Sequence, residues 1–159
     1  MNFRELFDDV QLTTVKWNLG FAQTEWKPRT VDQEAAWELY VEMITRIVIQ
    51  PLPAEHGDEK TALDSIFSLF AITREILRRK GRESIQFTKV AVVVLNQIVR
   101  PFTAEWHQRS FSGAFNDPAQ CAEFRAELTA LQSDLRKYAQ LLAKIAQVED
   151  LTEAVSGEE

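Results

Sequence analysis

Two histidines, one cysteine and a cluster of basic residues carry most of the side-chain chemistry that the sequence offers. The densest segment is Arg100-Pro101-Phe102-Thr103-Ala104-Glu105-Trp106-His107. Histidine titrates near neutrality and can give or take a proton in a reaction. An arginine guanidinium presents a fork that matches phosphate oxygens. The bland alternative is a helix end, with Arg100 capping carbonyls and His107 paired with Glu105 or another carboxylate. The second histidine, His56, lies in a polar loop with Glu55, Asp58 and Glu59, but neither His-Glu-x-x-His nor the Glu-x-x-His pairs of di-iron bundles occur, so no metal is expected. Cys121 falls inside an apolar stripe. Phosphate-binding glycine loops and nucleophile elbows are absent, and no cofactor is expected. Arg74, Arg78, Arg79, Lys80 and Arg82 form a candidate anion patch. Arg78-Arg79-Lys80 before Gly81 also fits the cationic last turn and glycine stop of a helix.

The Arg100 to His107 spacing, at the edge of a helical bundle, resembles the arginine-to-histidine motif of HEPN ribonucleases. The resemblance implies a compact helical bundle that usually dimerises to form its site. It further implies His107 as general base or acid on an RNA 2′-hydroxyl or leaving oxygen, and Arg100 as stabiliser of the phosphoryl charge. This chain departs from the family in placing Pro101 where a polar residue usually follows the arginine, and in the apolar Phe102 and Trp106 of the interval. In general style the chain is also similar to small helical proteins of bacterial conflict and antiphage systems.

The elements that must hold these residues are helical. Asn2 caps a short helix through Val10. Residues 11–29, with Trp17, Leu19, Phe21 and Trp26 around Gly20, read as extended chain or broken helix lying across the bundle as an apolar strap. Thr30-Val31-Asp32-Gln33 has a capping-box form; Trp37, Tyr40, Ile44 and Ile47 then make a stripe flanked by Val41 and Val48. Leu63, Ile66, Phe67, Phe70 and Leu77 make the next stripe. The β-branched run Val90 to Val94 is expected to be helical, because burial of each valine outweighs its few tenths of a kcal/mol of helix penalty. Pro101 kinks or ends that helix. Asp117-Pro118 starts the last one, in which Cys121, Phe124, Leu128, Leu131, Leu135, Tyr138, Leu142 and Ile145 alternate at three and four.

The expected fold is therefore all-α, an up-down bundle of four main helices: Thr30–Gln50, Asp58–Lys80, Ser84–Val99 and Asp117–Val148. It forms a single domain over residues 1–151, followed by a disordered acidic tail, 152–159. The net charge of −6 disfavours a general nucleic-acid binder. One cysteine fits a reducing cytoplasm, the N-terminus lacks the apolar core of a signal peptide, and no run approaches a membrane span. The leading functional expectation is a non-catalytic interaction module, an adaptor or regulatory subunit, using Phe124, Leu128, Leu131, Leu135, Tyr138 and Leu142 as its contact surface. Its partner is another protein or a second copy in a homodimer. The alternative is a HEPN-like ribonuclease or degenerate relative, metal-independent and acting on RNA through Arg100 and His107.

Overall fold

The computed structural model describes residues 1–18, 20–46 and 48–156. Its helices are α1 (Phe3–Asp9), α2 (Thr30–Ile44), α3 (Glu59–Lys80), α4 (Ile85–Val94), α5 (Arg100–Phe111), α6 (Pro118–Ala146) and α7 (Thr152–Ser156). A π-helical turn, Leu95–Val99, joins α4 to α5, and 3-10 turns lie at Arg82–Ser84 and Ala114–Asn116. No strand occurs among the described residues, so the all-α expectation is met.

The ends of the helices show why these segments fold as they do. Asn2 and Glu5 form a reciprocal capping box on α1, each side chain bonding the other's backbone N–H at 2.9 Å. Asp58 caps α3 by accepting from Thr61 N–H at 2.8 Å. Gly81 stops α3 at φ 78°, a left-handed value that disfavours any residue with a Cβ. Asp117 caps α6 by accepting from Ala119 N–H, with Pro118 at the first helical position. At α2 the cap is Arg29 rather than Thr30. Asp32 supplies the carboxylate, one oxygen accepting from Arg29 N–H at 2.7 Å and the other from Phe87 N–H at 2.9 Å. Asp32 is fully buried, so one carboxylate fixes the N-terminus of α2 against the start of α4.

The largest helix contact is between α2 and α6. The apolar stripe of α6 fills the centre of the molecule: Phe124, Leu128, Leu131, Leu135, Tyr138 and Leu142 are all at most 7% exposed. They belong to the core of one chain, which corrects their expected role as a contact surface. The stripe is long because α6 meets several neighbours along its length, among them α2, α3, α5 and α7. Its polar edge holds the loop after α2. Arg125 bonds Glu59 and the carbonyls of Pro53 and Gly57, Gln132 donates to Gln50 O, and Arg136 donates to Ile49 O. Gly57 is needed there, since a Cβ would come within 2.3 Å of Leu52 Cδ1 and 2.7 Å of Pro53 O.

Several boundaries differ from expectation. α2 ends at Ile44, not Gln50, and buried Val48 and Ile49 continue in a non-helical turn; Ile47 lies outside the described residues. Trp37 is half-exposed, because α2 buries Ala35, Ala36, Leu39, Tyr40 and Met43 instead. Pro101 neither ends nor interrupts the chain of helices. It sits in the first turn of α5, where a missing N–H costs little. The π-turn before it resets the ladder, with Arg100 N–H bonded to Leu95 O. The strap, residues 11–29, is non-helical and lies against the bundle, except that Leu19 is outside the described residues. Gln97 bonds both Lys16 N–H (2.7 Å) and Lys16 O (3.2 Å), while Phe3 packs edge-on against Phe21 and Trp26. Finally, residues 152–156 form α7 with Thr152 buried, in place of a disordered tail; Gly157 to Glu159 lie outside the described residues. Tyr40 fixes this end, its hydroxyl accepting from Leu151 N–H at 2.7 Å.

Two substitutions test this account. Asp32→Ala removes both acceptors and leaves a buried N–H unpaired, so it should lower unfolding free energy by about 2–4 kcal/mol in urea titration. The buried Tyr138 hydroxyl has no hydrogen-bond partner among the described residues. Tyr138→Phe should therefore hold or raise stability, by up to about 1–3 kcal/mol in the same measurement.

Candidate functional site

The Arg100–His107 pair lies on the side of α5 that faces α3. Arg100 sits with its guanidinium 4.6 Å from the centre of the Phe70 ring, and its Nε donates to Asn96 Oδ1 at 3.0 Å. His107 packs edge-on against Phe67, centroids 4.7 Å apart, with Nε2 3.8 Å from Asp64 Oδ1. Phe67 and Phe70 are themselves in contact, with centroids 5.6 Å apart. The four side chains form a continuous strip across two antiparallel helices.

The strip does not focus Arg100 and His107 on one point. Seven residues of helix separate their Cα atoms by about 10.5 Å along the axis. Asn96 lies one turn before Arg100, so the guanidinium reaches away from His107. Of the structural parts expected for the two residues, one is seen: His107 faces a carboxylate, Asp64 on the neighbouring helix rather than Glu105 on its own, whereas Arg100 bonds the Asn96 side chain instead of capping carbonyls. Glu105 instead pairs with Arg109, which also holds Glu123 and lies 3.8 Å from the Trp106 ring.

Arg100 belongs to a different feature, a groove of about 180 Å³ between α3 and the α4–π-turn–α5 rod. Phe70, Leu77, Ala91, Val92 and Leu95 form its apolar walls, and Arg74, Asn96 and Arg100 stand at its rim. Val92 is 45% exposed, and Phe67, beside Phe70, is 47% exposed. Thr73 also lines the groove; its buried Oγ has no hydrogen-bond partner among the described residues. Among the described residues, no carboxylate lies within 4.0 Å of a nitrogen of Arg74 or Arg100. The sequence pointed to Arg100 and Arg74 separately. It gave no direct sign that Val92 and Phe67 stay half-exposed, because both fall in apolar runs that read as core.

The candidate anion patch is divided. Arg79 bonds Glu38, and Lys80 bonds both Glu34 and Glu38, which docks the end of α3 on α2. Arg74 turns to the groove, while Arg78 and Arg82 are exposed. Cys121 is partly buried, its thiol donating to Phe115 O, and burial pushes its pKa up, keeping it a thiol. His56 is exposed in its loop, and no group of three potential metal ligands occurs among the described residues. No described helix is long and apolar enough to cross a membrane. No protein family, curated protein or solved structure was found to match the chain.

The ion pairs that dock α3 on α2 make a pH prediction. Burial pushes the Glu38 pKa up, but the hydrogen bonds from Arg79 and Lys80 outweigh it and hold the carboxyl below its ordinary 4.5. A depressed carboxylate pKa contributes stability above the unfolded value, and that stability is lost as pH falls through the folded value. The urea midpoint should be steady from about pH 7 to 5 and then fall below about pH 4.5. Glu38→Gln should show a smaller fall over the same acid interval.

Proposed function

We propose that this protein is a non-catalytic interaction module whose contact face is the groove between α3 and the α4–α5 rod. The observation that supports this reading is the groove itself: apolar walls open to solvent, half-exposed Phe67 and Val92 beside them, and guanidiniums at the rim. Exposed apolar side chains grouped around a concavity and edged by charge are the usual make-up of a protein-binding surface. With the α6 stripe in the core, this face takes over the role first expected of that stripe. A cytoplasmic adaptor or regulatory subunit acting through helix-to-helix contact is the function that suits it.

The second reading is metal-independent RNA cleavage by Arg100 and His107, in the manner of HEPN ribonucleases. It draws on their common side of α5 and on the partial exposure of His107, 24% at its side chain. The divergence of the two side chains weighs against it within one chain. A dimer that brought the Arg100 of one copy to the His107 of another would remove that objection.

Two measurements decide between these readings. Purified protein incubated with a mixed-sequence RNA should release no product beyond that of a His107→Ala variant with the same circular dichroism. Cleavage lost in His107→Ala would overturn the module. In extract of the native cells, the tagged chain should elute larger than a monomer, and Val92→Glu should shift it to monomer size. A chain that elutes as a monomer throughout would also overturn the module.

A further inference from the structure

The groove carries information about what it holds. A cavity of about 150 Å³ lined by aliphatic and aromatic side chains accommodates a benzene-sized group. At about 180 Å³, this groove takes one large aliphatic or aromatic side chain. The apolar surface then continues outward over Val92 and Phe67, further than one side chain covers. A segment of chain lying along the groove, with one anchoring residue inserted, fits that shape.

The charge at the rim narrows the choice. The chain has 24 acidic against 18 basic residues, yet Arg74 and Arg100 face the groove with no carboxylate paired to them among the described residues. Arg100 is already oriented: Asn96 takes its Nε and the Phe70 ring lies 4.6 Å from the guanidinium carbon, so its two terminal nitrogens are presented with little freedom to lose. Guanidinium groups held this way suit carboxylates, which accept two parallel hydrogen bonds.

We infer that the groove receives an acidic amphipathic segment of a partner protein. Its one large apolar side chain enters between Phe70, Leu77, Val92 and Leu95, and its flanking carboxylates pair with Arg74 and Arg100. On a helix, carboxylates three or four residues from the anchor lie on the same face as the anchor and reach both rims. This assignment rests on the docking face proposed above and specifies its partner.

The test uses the full chain and a fluorescein-labelled helical peptide of about 15 residues. The peptide carries a central phenylalanine with glutamates three and four positions to either side, and binding is read by fluorescence anisotropy at low salt. Binding should weaken about tenfold or more when the glutamates become glutamines, and to a similar extent when the phenylalanine becomes alanine. Val92→Glu and the uncharged Val92→Asn should each weaken it in the protein; Val92 is half-exposed, and a circular-dichroism melt checks that both variants fold. The Arg74→Glu/Arg100→Glu double variant should lose the glutamate peptide and bind a lysine version instead. Absence of binding, or a glutamine peptide bound as tightly as the glutamate one, overturns the assignment. Self-association of the free chain that Val92→Glu abolishes overturns it too, since a second copy then fills the groove. If the complex in cell extract depends on Val92 while the glutamate peptide does not bind, the docking face stands and the acidic partner fails.

Discussion

A single buried carboxylate sets the frame on which this molecule is built. Asp32 gives one oxygen to Arg29 N–H and the other to Phe87 N–H, with no contact to water. Two helix N-termini each have donors that the helix itself cannot satisfy, and here one side chain answers both. The partial positive charge of two converging helix ends favours an anion at that point. Once α2 and α4 are registered this way, α3 packs against α2 on one side and against the π-turn and α5 that continue α4 on the other. Its C-terminal cations reach Glu34 and Glu38 of α2, and its aromatic face meets α5. The groove is the gap left where α3 and the α4–α5 rod part.

The helical periodicities were legible wherever one side of a helix is apolar and the other polar. α3 and α6 follow their stripes, and both end or begin at the caps that Gly81 and Asp117 announce. α2 was misread in detail because it is covered on more than one side. Burial there falls on small residues, Ala35 and Ala36, and the bulky Trp37 turns outward. Pattern reading favours large side chains for the interior and does not see a close approach between backbones. The Asp32 tie was legible only in half. The capping-box form marked where the helix starts but pointed to Thr30 and Gln33 rather than Asp32, and a partner 55 residues away is a property of the fold and not of the local sequence.

The candidate site shows the same limit. Arg100 and His107 stood out as residue types, and their spacing placed them on one side of a helix once that helix was known. What the spacing does not encode is direction. Asn96 draws the arginine back along the chain, and Phe67 with Asp64 holds the histidine two turns further on. The π-turn matters here as well. It permits an unbroken rod from Ile85 to Phe111 despite Pro101, so that Val92, Asn96 and Arg100 share one wall of the groove. A break at Pro101 would have scattered them.

The pairing of α2 with α6 has a consequence for how the chain comes to be folded. Tyr40 on α2 is bonded to Leu151, 111 positions later, and the largest single cover of α2 is α6, in the last third of the sequence. Contacts of such wide separation form late and slowly, because a long loop must close before they contribute. During vectorial synthesis α1 to α5 emerge while α2 and Phe102 have no α6 to cover them. The first two thirds of the chain thus pass through a period of exposed apolar surface, and the protein becomes a closed body only when its longest helix leaves the ribosome.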